Sequence, residues 1–320
     1  LYKYILRRIL IMIPMLVLIS IIVFTFSKLA PGDPFTGEFD PRITKDILDK
    51  KRAMFNLYDP PYKQYLSWLK NVLQGNFGVS MRFGFPVSDL LAERIPNTLF
   101  LAITSLIITL IVSIPIGIIS ARRPYSLIDY SATTFGFLGL ATPNFYAGLI
   151  AIYLFSIQFG WLPAQGTITA GADYTGLALF WDKFKHVIMP ASTLGLAQTA
   201  GYMRYMRSEM MEVMGKDFIR TARSKGMPER VILYKHTLRN ALIPIITLLG
   251  FEFGALVAGA VITENVFSWP GVGTLFLNAV INRDYPIIMA INLIIATMVL
   301  VGNLLADIFY VIVDPRIRYD

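Results

Sequence analysis

The sequence predicts an all-α, multi-pass membrane protein with six transmembrane helices and a helical loop between the first two. Hydrophobic residues make up 55% of the 320 positions and charged residues only 16%, and the mean hydropathy is +0.57. The charges also avoid several long stretches altogether. Such uncharged runs suit a hydrocarbon layer that takes about 20 helical residues to cross.

The first three spans are expected at residues 9–27, 98–120 and 131–159, each an uncharged apolar run. Pro143 is placed to break the third, because it removes a backbone donor and crowds the preceding turn. The fourth run, 187–203, is shorter and softened by Gly195, Gln198 and Gly201; the fifth, 241–263, carries Glu252; the sixth, 286–313, carries Asp307. Six crossings put both termini on one side. Arg7-Arg8 before the first run has the outline of a signal peptide, but the run is long, no small-residue cleavage site follows, and more spans come after. It reads as a retained helix.

Orientation follows from lysine and arginine. Lys3, Arg7, Arg8, Arg122, Arg123, the basic residues of 204–239, Arg316 and Arg318 all fall on the side of the N-terminus. The positive-inside rule makes that side cytoplasmic. The expected divisions are residues 1–29 for the cytoplasmic N-terminus and first helix, 30–97 for an extracytoplasmic cap loop, 98–313 for the membrane core with an inner loop at 204–240, and 314–320 for a cytoplasmic tail.

The cap is too long for a simple turn and should carry structure of its own. Ile43, Ile47, Leu48 and Met54 fall roughly on one helical face, and Tyr62, Tyr65, Leu66, Leu69, Val72 and Leu73 do so more clearly. Asp59-Pro60-Pro61 opens the second of these helices and Gly75 ends it. They form a small cap packed on the membrane domain, a docking surface for an external protein, or both.

Composition excludes several functions. The pI near 9.5 comes from charges spread over short loops beside spans, without the basic face on a soluble domain that nucleic-acid binding needs. Cysteine is absent and there are two histidines, His186 and His236, so thiolate metal sites and disulfides are out and a metal centre is not expected. Both histidines fall at span boundaries, where ordinary surface roles are expected. The sequence contains no HExxH, GxSxG or GxxxxGK[ST] motif. Neither hydrolysis nor ATP binding belongs to this chain, so it is not an enzyme, and any energy comes from another subunit.

The inner loop is the most informative segment. Asp217 is placed to cap a short helix through Phe218, Ile219, Ala222 and Arg223, with Gly226 where a left-handed C-terminal residue would sit. Pro228 suits the first turn of a second helix supported by Glu229 and continued by Val231, Ile232, Leu233 and Tyr234. The result is a bent helical pair. By composition it either lies on anionic lipid or grips a soluble partner.

At this point the chain resembles a known family. Residues 217–226 together with Leu238-Arg239-Asn240-Ala241-Leu242-Ile243-Pro244 look like the "EAA" loop of binding-protein-dependent ABC importer permeases, in the branch that carries dipeptides, oligopeptides and nickel. Ala222 holds the last alanine of that motif and Gly226 its glycine. Arg220 and Thr221 depart from it where glutamate and alanine would stand, and Arg239 where a proline would; LRNALIP is the wording of the peptide branch. Ala30-Pro31-Gly32-Asp33-Pro34, Gly75-Asn76-Phe77-Gly78-Val79-Ser80, Arg94-Ile95-Pro96-Asn97-Thr98, the run Glu264-Asn265-Val266-Phe267-Ser268-Trp269-Pro270-Gly271-Val272-Gly273 and Arg283-Asp284-Tyr285-Pro286 resemble the same branch. Singly each is weak; in this order and spacing they are strong.

The resemblance implies a type I ABC importer transmembrane domain in a prokaryotic cell membrane. Its partners are a second, homologous permease, two ATP-binding subunits that hold ATP and Mg²⁺, an extracytoplasmic solute-binding protein and membrane lipid. It further implies that Asp217, Arg220, Thr221, Ala222, Arg223, Lys225, Gly226, Met227 and Pro228 couple to the ATPase, and that Phe267 and Trp269 help seal an outer gate. Interfacial anchoring is the plain alternative for those two aromatics. The solute is a di- or oligopeptide, with nickel chelates or oligosaccharides as alternatives. An ion-coupled secondary transporter is the rival class, but no internal repeat between halves supports it.

Polar residues inside the spans are candidates for a solute path. Glu252 stands out, since an acid at mid-bilayer costs roughly 2.5 to 3.5 kcal/mol on insertion scales and should face protein or water. It either lines the path or bonds to a neighbouring helix, while Gly250 and Gly254 around it allow close helix approach. Gln198, Asn144, Asn292 and Asn303 are the other candidates, with interhelical hydrogen bonding as their alternative role. Asp307 is expected to pair with Arg316 or a loop arginine.

Overall fold

The computed structural model describes residues 2–29, Phe35 and residues 45–313. The elements in order are α1 (Tyr2–Leu29), α2 (Lys45–Met54), α3 (Pro61–Leu73), α4 (Val87–Arg122), α5 (Leu127–Ala141), α6 (Asn144–Ala151), α7 (Gly176–Met214), α8 (Asp217–Ser224), α9 (Glu229–Val231), α10 (Leu238–Val266), α11 (Val272–Ile281) and α12 (Tyr285–Val313). Wide π-helical turns at Ile152–Gln158 and Ile232–Thr237 follow α6 and α9. Among the described residues there is no β-strand, only one isolated bridge between Val79 and Pro86.

Among the described residues three helical stretches are long and apolar enough to cross a membrane: Ile5–Leu29, Val87–Arg122 and Tyr285–Leu305. The expected third span is broken, as Pro143 foretold: Leu127–Ala141 and Asn144–Gln158 meet at 103°. Pro143 sits between them in an extended conformation, with φ −58° and ψ 133°, which no helix interior permits. The expected fourth and fifth spans lie inside α7 and α10. Six crossings therefore go beyond what length and composition of these helices establish.

The chain divides into two units. One comprises residues 1–96 and 274–298. In it α1 exposes apolar side chains such as Leu10, Ile13, Leu18, Phe26 and Leu29 and packs against α3. Tyr65 of α3 meets the Ser20 hydroxyl at 2.8 Å and sets its ring edge-on to Phe24. Both helices expected in the cap exist, and α3 starts at Pro61 as read. It ends at Gly75, whose φ of +79° allows Gly75 N–H to reach Val72 O and Asn76 N–H to reach Asn71 O; this is a Schellman closure. Ile47 and Met54 on α2, and Tyr62, Leu66 and Leu73 on α3, stay exposed.

The other unit comprises residues 97–273 and 299–320. Its centre is α7, against which α5, α6 and α10 pack. Small residues let helices approach α7 closely: a Cβ on Gly117 of α4 would stand 2.7 Å from Met206 Cβ, and one on Gly195 would stand 2.6 Å from Thr109 Oγ1. Around these contacts Tyr202, Met206, Met210 and Val213 of α7 form a core with Ile118, Ala121, Ala241 and Ile245.

Candidate functional site: the basic elbow and two locked loops

Residues 216–238 fold as an elbow rooted in that core. Ile219 and Ala222 of α8 are buried in the same cluster as Met206, Met210, Ile232 and Leu233, because residues three apart share a helical face. Asp217, Phe218, Arg220, Thr221, Arg223, Lys225, Gly226 and Pro228 lie on the exposed side. One face anchors and the other is presented to solvent.

The bend is made by backbone chemistry. Gly226 has φ +73°, a left-handed conformation that costs a side-chain-bearing residue but not glycine. Its N–H reaches Arg223 O at 2.9 Å and Met227 N–H reaches Ala222 O at 3.3 Å, again a Schellman closure, with Met227 packed on the core. Pro228 then precedes the first turn of α9 as its N-cap residue, and its carbonyl accepts from Val231 N–H and Ile232 N–H. Across the bend Arg223 bonds Glu229 at 2.9 Å. That hydrogen bond holds the Glu229 carboxyl below its ordinary range and raises the Arg223 guanidinium.

One expectation is corrected here. Asp217 does not cap α8: the N-cap position is Lys216, no side-chain capping bond forms, and Asp217 is the first helical residue, with Arg220 at 3.5 Å. An acid in the first turn still favours the helix through the dipole.

Above the elbow in chain order, Arg207 of α7 grips Asp129 of α5 through two bonds of 2.7 Å, from Nε and Nη2. Tyr125 N–H adds a third bond to the same carboxylate, and the Arg207 guanidinium lies 5.9 Å from the Tyr125 ring centroid. A fork-on-carboxylate geometry fixes orientation as well as distance. Sequence reading missed this pair.

Two further buried acids each lock a pair of motifs that lie far apart in the chain. In the unit formed by residues 97–273 and 299–320, Glu264 is fully buried and accepts from the Thr98 hydroxyl at 2.7 Å; Thr98 in turn accepts from Val272 N–H at 2.8 Å. Trp269 Nε1 donates to Asn97 O, and Asn97 Nδ2 to Pro270 O. A Cβ on Gly271 would collide with the Glu264 carboxylate, so any side chain there displaces that buried group. In the other unit the fully buried Asp284 accepts from the Ser80 hydroxyl at 2.5 Å, Met81 N–H at 3.2 Å and Arg82 N–H at 3.0 Å.

The aromatics assigned to an outer gate are placed differently from an interfacial anchor. Phe267 is 2% and Trp269 1% exposed, so both are core residues, Trp269 stacked on Phe100 at 6.4 Å and Phe267 against Gly148. His186 is likewise buried rather than on the surface, its Nδ1 2.8 Å from Asp182 O. His236 is partly buried in the π-helical turn. Asp182 closes a loop by accepting from Thr169 N–H and its hydroxyl, both at 2.7 Å. Burial pushes this carboxyl up, but the Thr169 bonds outweigh it and leave it below the ordinary range.

Of the candidate path residues, Asn144 and Gln198 belong to one unit and Asn292 to the other; all are partly buried. Asn292 Nδ2 donates to Ile288 O within its own helix. Asn303 is also partly buried, in the later part of α12. The side chain of Glu252, and Gly250 and Gly254 beside it, lie outside what the structure describes, as does Arg316, the expected partner of Asp307. No group of three or more metal-ligating side chains occurs among the described residues.

Comparison with known proteins gives this geometry a context. Residues 113–319 match the family model "Binding-protein-dependent transport system inner membrane component", and residues 1–102 match its companion, "Binding-prot-dependent transport system membrane comp, N-term". The chain belongs to this family. It is an ABC importer permease, a non-catalytic membrane component. The permease is 48% identical over 317 residues to the oligopeptide transport system permease protein AppB of Bacillus subtilis (strain 168), covering 99% of both chains. It is 37% identical over 317 residues to the glutathione transport system permease protein GsiC of Escherichia coli (strain K12), again over 99% of both.

Proposed function

We propose that this permease forms half of an inward peptide path, with six spans and both termini in the cytoplasm, and that residues 217–228 receive mechanical work from an ATP-hydrolysing subunit. The solute class is supported by the relatives, which are named for oligopeptide and for glutathione transport. A second permease completes the path, two ATP-binding subunits hold ATP and Mg²⁺, and an extracytoplasmic solute-binding protein delivers the peptide. The exposed Tyr62, Leu66 and Leu73 on α3 suit contact with that delivering protein.

One observation carries the coupling role: the elbow is closed by backbone hydrogen bonds and two-faced, its buried side continuous with α7 and α10 and its exposed side basic. A lever must not absorb the displacement it transmits. Closing the ATPases moves the exposed face, and the Schellman bend, the Arg223–Glu229 bond and the core rooting pass that motion to the spans, which alternate between two arrangements. Glu264 and Asp284 keep the loops beyond the helix ends in fixed shape, and Phe267 and Trp269 serve the outer seal from within the packed core.

The test is Gly226→Val in the reconstituted transporter. Space is open around Gly226, so the substitution strains only the left-handed backbone. The variant is expected in the membrane, with ATP hydrolysis no longer tied to peptide uptake. Normal peptide-stimulated hydrolysis together with normal uptake would rule the coupling role out.

A further inference from the structure

A cleft in the unit formed by residues 1–96 and 274–298 is lined by no residue of the elbow. It lies among the end of α1, the turn before α3, α3 itself and the start of α12, with a volume of about 170 Å³. That is well short of the roughly 300–1,000 Å³ typical of sites that enclose a drug-sized ligand, so a peptide does not fit inside it. A small polar group does.

The lining holds one cation and one acid. Lys28, in the last turn of the apolar helix α1, is half-buried in the cleft. Its ammonium lies 5.1 Å from the Tyr285 ring centroid and 5.7 Å from that of Phe24, and among the described residues it meets no carboxylate. Such an aromatic pair holds a cation in place without neutralising it. The neutral donors Ser67, Asn56 and Asn71 also line the cleft and make no side-chain hydrogen bond with described residues. The one acid in the lining, Asp59, is turned to Lys63 at 3.9 Å. With the Asp59 carboxylate directed to Lys63, the Lys28 ammonium and the spare donors are what a bound group meets, and they suit an oxyanion.

Its position selects the source. Phe26 and Leu29, on the other side of the same helical turn, are 70% and 71% exposed, a surface that a membrane-spanning helix turns to acyl chains. We infer that this cleft binds the phosphate of an anionic phospholipid headgroup, held by Lys28 and the neutral donors, with the acyl chains running down the exposed face of α1. A cation at the end of a span, next to an apolar belt, is where headgroup phosphates lie. The lipid then ties α1 to α3 by filling the space between them.

The test uses the whole transporter in nanodiscs, without reference to transport, so that it stands or falls independently of the proposed function. Thermal stability is compared in phosphatidylcholine alone, in phosphatidylcholine with phosphatidylglycerol, and in phosphatidylcholine with inorganic phosphate, for the parent protein, Lys28→Met and Lys28→Arg. Retained lipid is weighed by native mass spectrometry. The expected result is that phosphatidylglycerol raises the melting temperature and stays bound in the parent and in Lys28→Arg, that both effects are lost in Lys28→Met, and that free phosphate does nothing. Equal protection by free phosphate would overturn the lipid as the source. Phosphatidylglycerol retained equally by Lys28→Met would overturn the site.

Discussion

Arg223 and Glu229 face each other across the Gly226-Met227-Pro228 bend and meet at 2.9 Å, each roughly half exposed. The bond braces two helices whose bend the backbone closure at Gly226 already sets. Because both partners are solvent-screened, its worth is at most about 1 kcal/mol. The bend itself is held by Gly226 and the core.

Glu229→Gln should therefore weaken coupling modestly, by less than about tenfold, whereas Gly226→Val should abolish it. Uptake per ATP hydrolysed, measured side by side in proteoliposomes, ranks the two. A larger loss in Glu229→Gln than in Gly226→Val would show that the ion pair, not the backbone, sets the stiffness.

Ile219 anchors the elbow with no exposed surface. Truncation to alanine leaves a cavity, with a cost of about 2–5 kcal/mol. Ile219→Ala should lower the melting temperature and raise protease nicking within residues 215–230, while Phe218→Ala, on the exposed face, should leave both unchanged. Limited proteolysis reads the difference.

Asp284 satisfies a buried hydroxyl and two backbone N–H groups at once. Asp284→Ala strips all three, each unsatisfied buried donor costing about 1–3 kcal/mol. Hydrogen exchange should rise at Met81 and Arg82 and stay unchanged at Ile219. The same reasoning applied to Glu264 predicts that Gly271→Ala is more damaging than its single methyl group implies, because the methyl meets the carboxylate; melting temperature checks it.

The Asp182 carboxyl is held below its ordinary range in the folded chain. Its contribution is thus fully present above the ordinary carboxylate range and fades as pH falls through the lowered folded value. Acidification should release the Thr169 loop, seen as a fluorescence change from the neighbouring Trp181, and Thr169→Val should move that change to higher pH.

Much of this molecule was legible from local rules. The break between α5 and α6 was readable from Pro143, and the start of α3 from Pro61. The elbow was readable from Gly226 and Pro228, because a missing Cβ or a missing N–H acts on the residues immediately around it. Asp217 was misread by one position for the same reason: helix ends are set within a residue or two by competing local bonds.

What the sequence by itself determined is the apolar, helical character of the chain, the bends within it, and the motifs that mark the family. Only the tertiary structure decided what those motifs hold. Glu264 finds Thr98 across 166 positions, Asp284 finds Ser80 across 204 and Asp129 finds Arg207 across 78. Phe267 and Trp269 become core residues by the same long-range packing. The physical reason is range: backbone conformation is biased by neighbours in the chain, whereas a buried carboxylate is satisfied by whichever donors the packed helices bring to it.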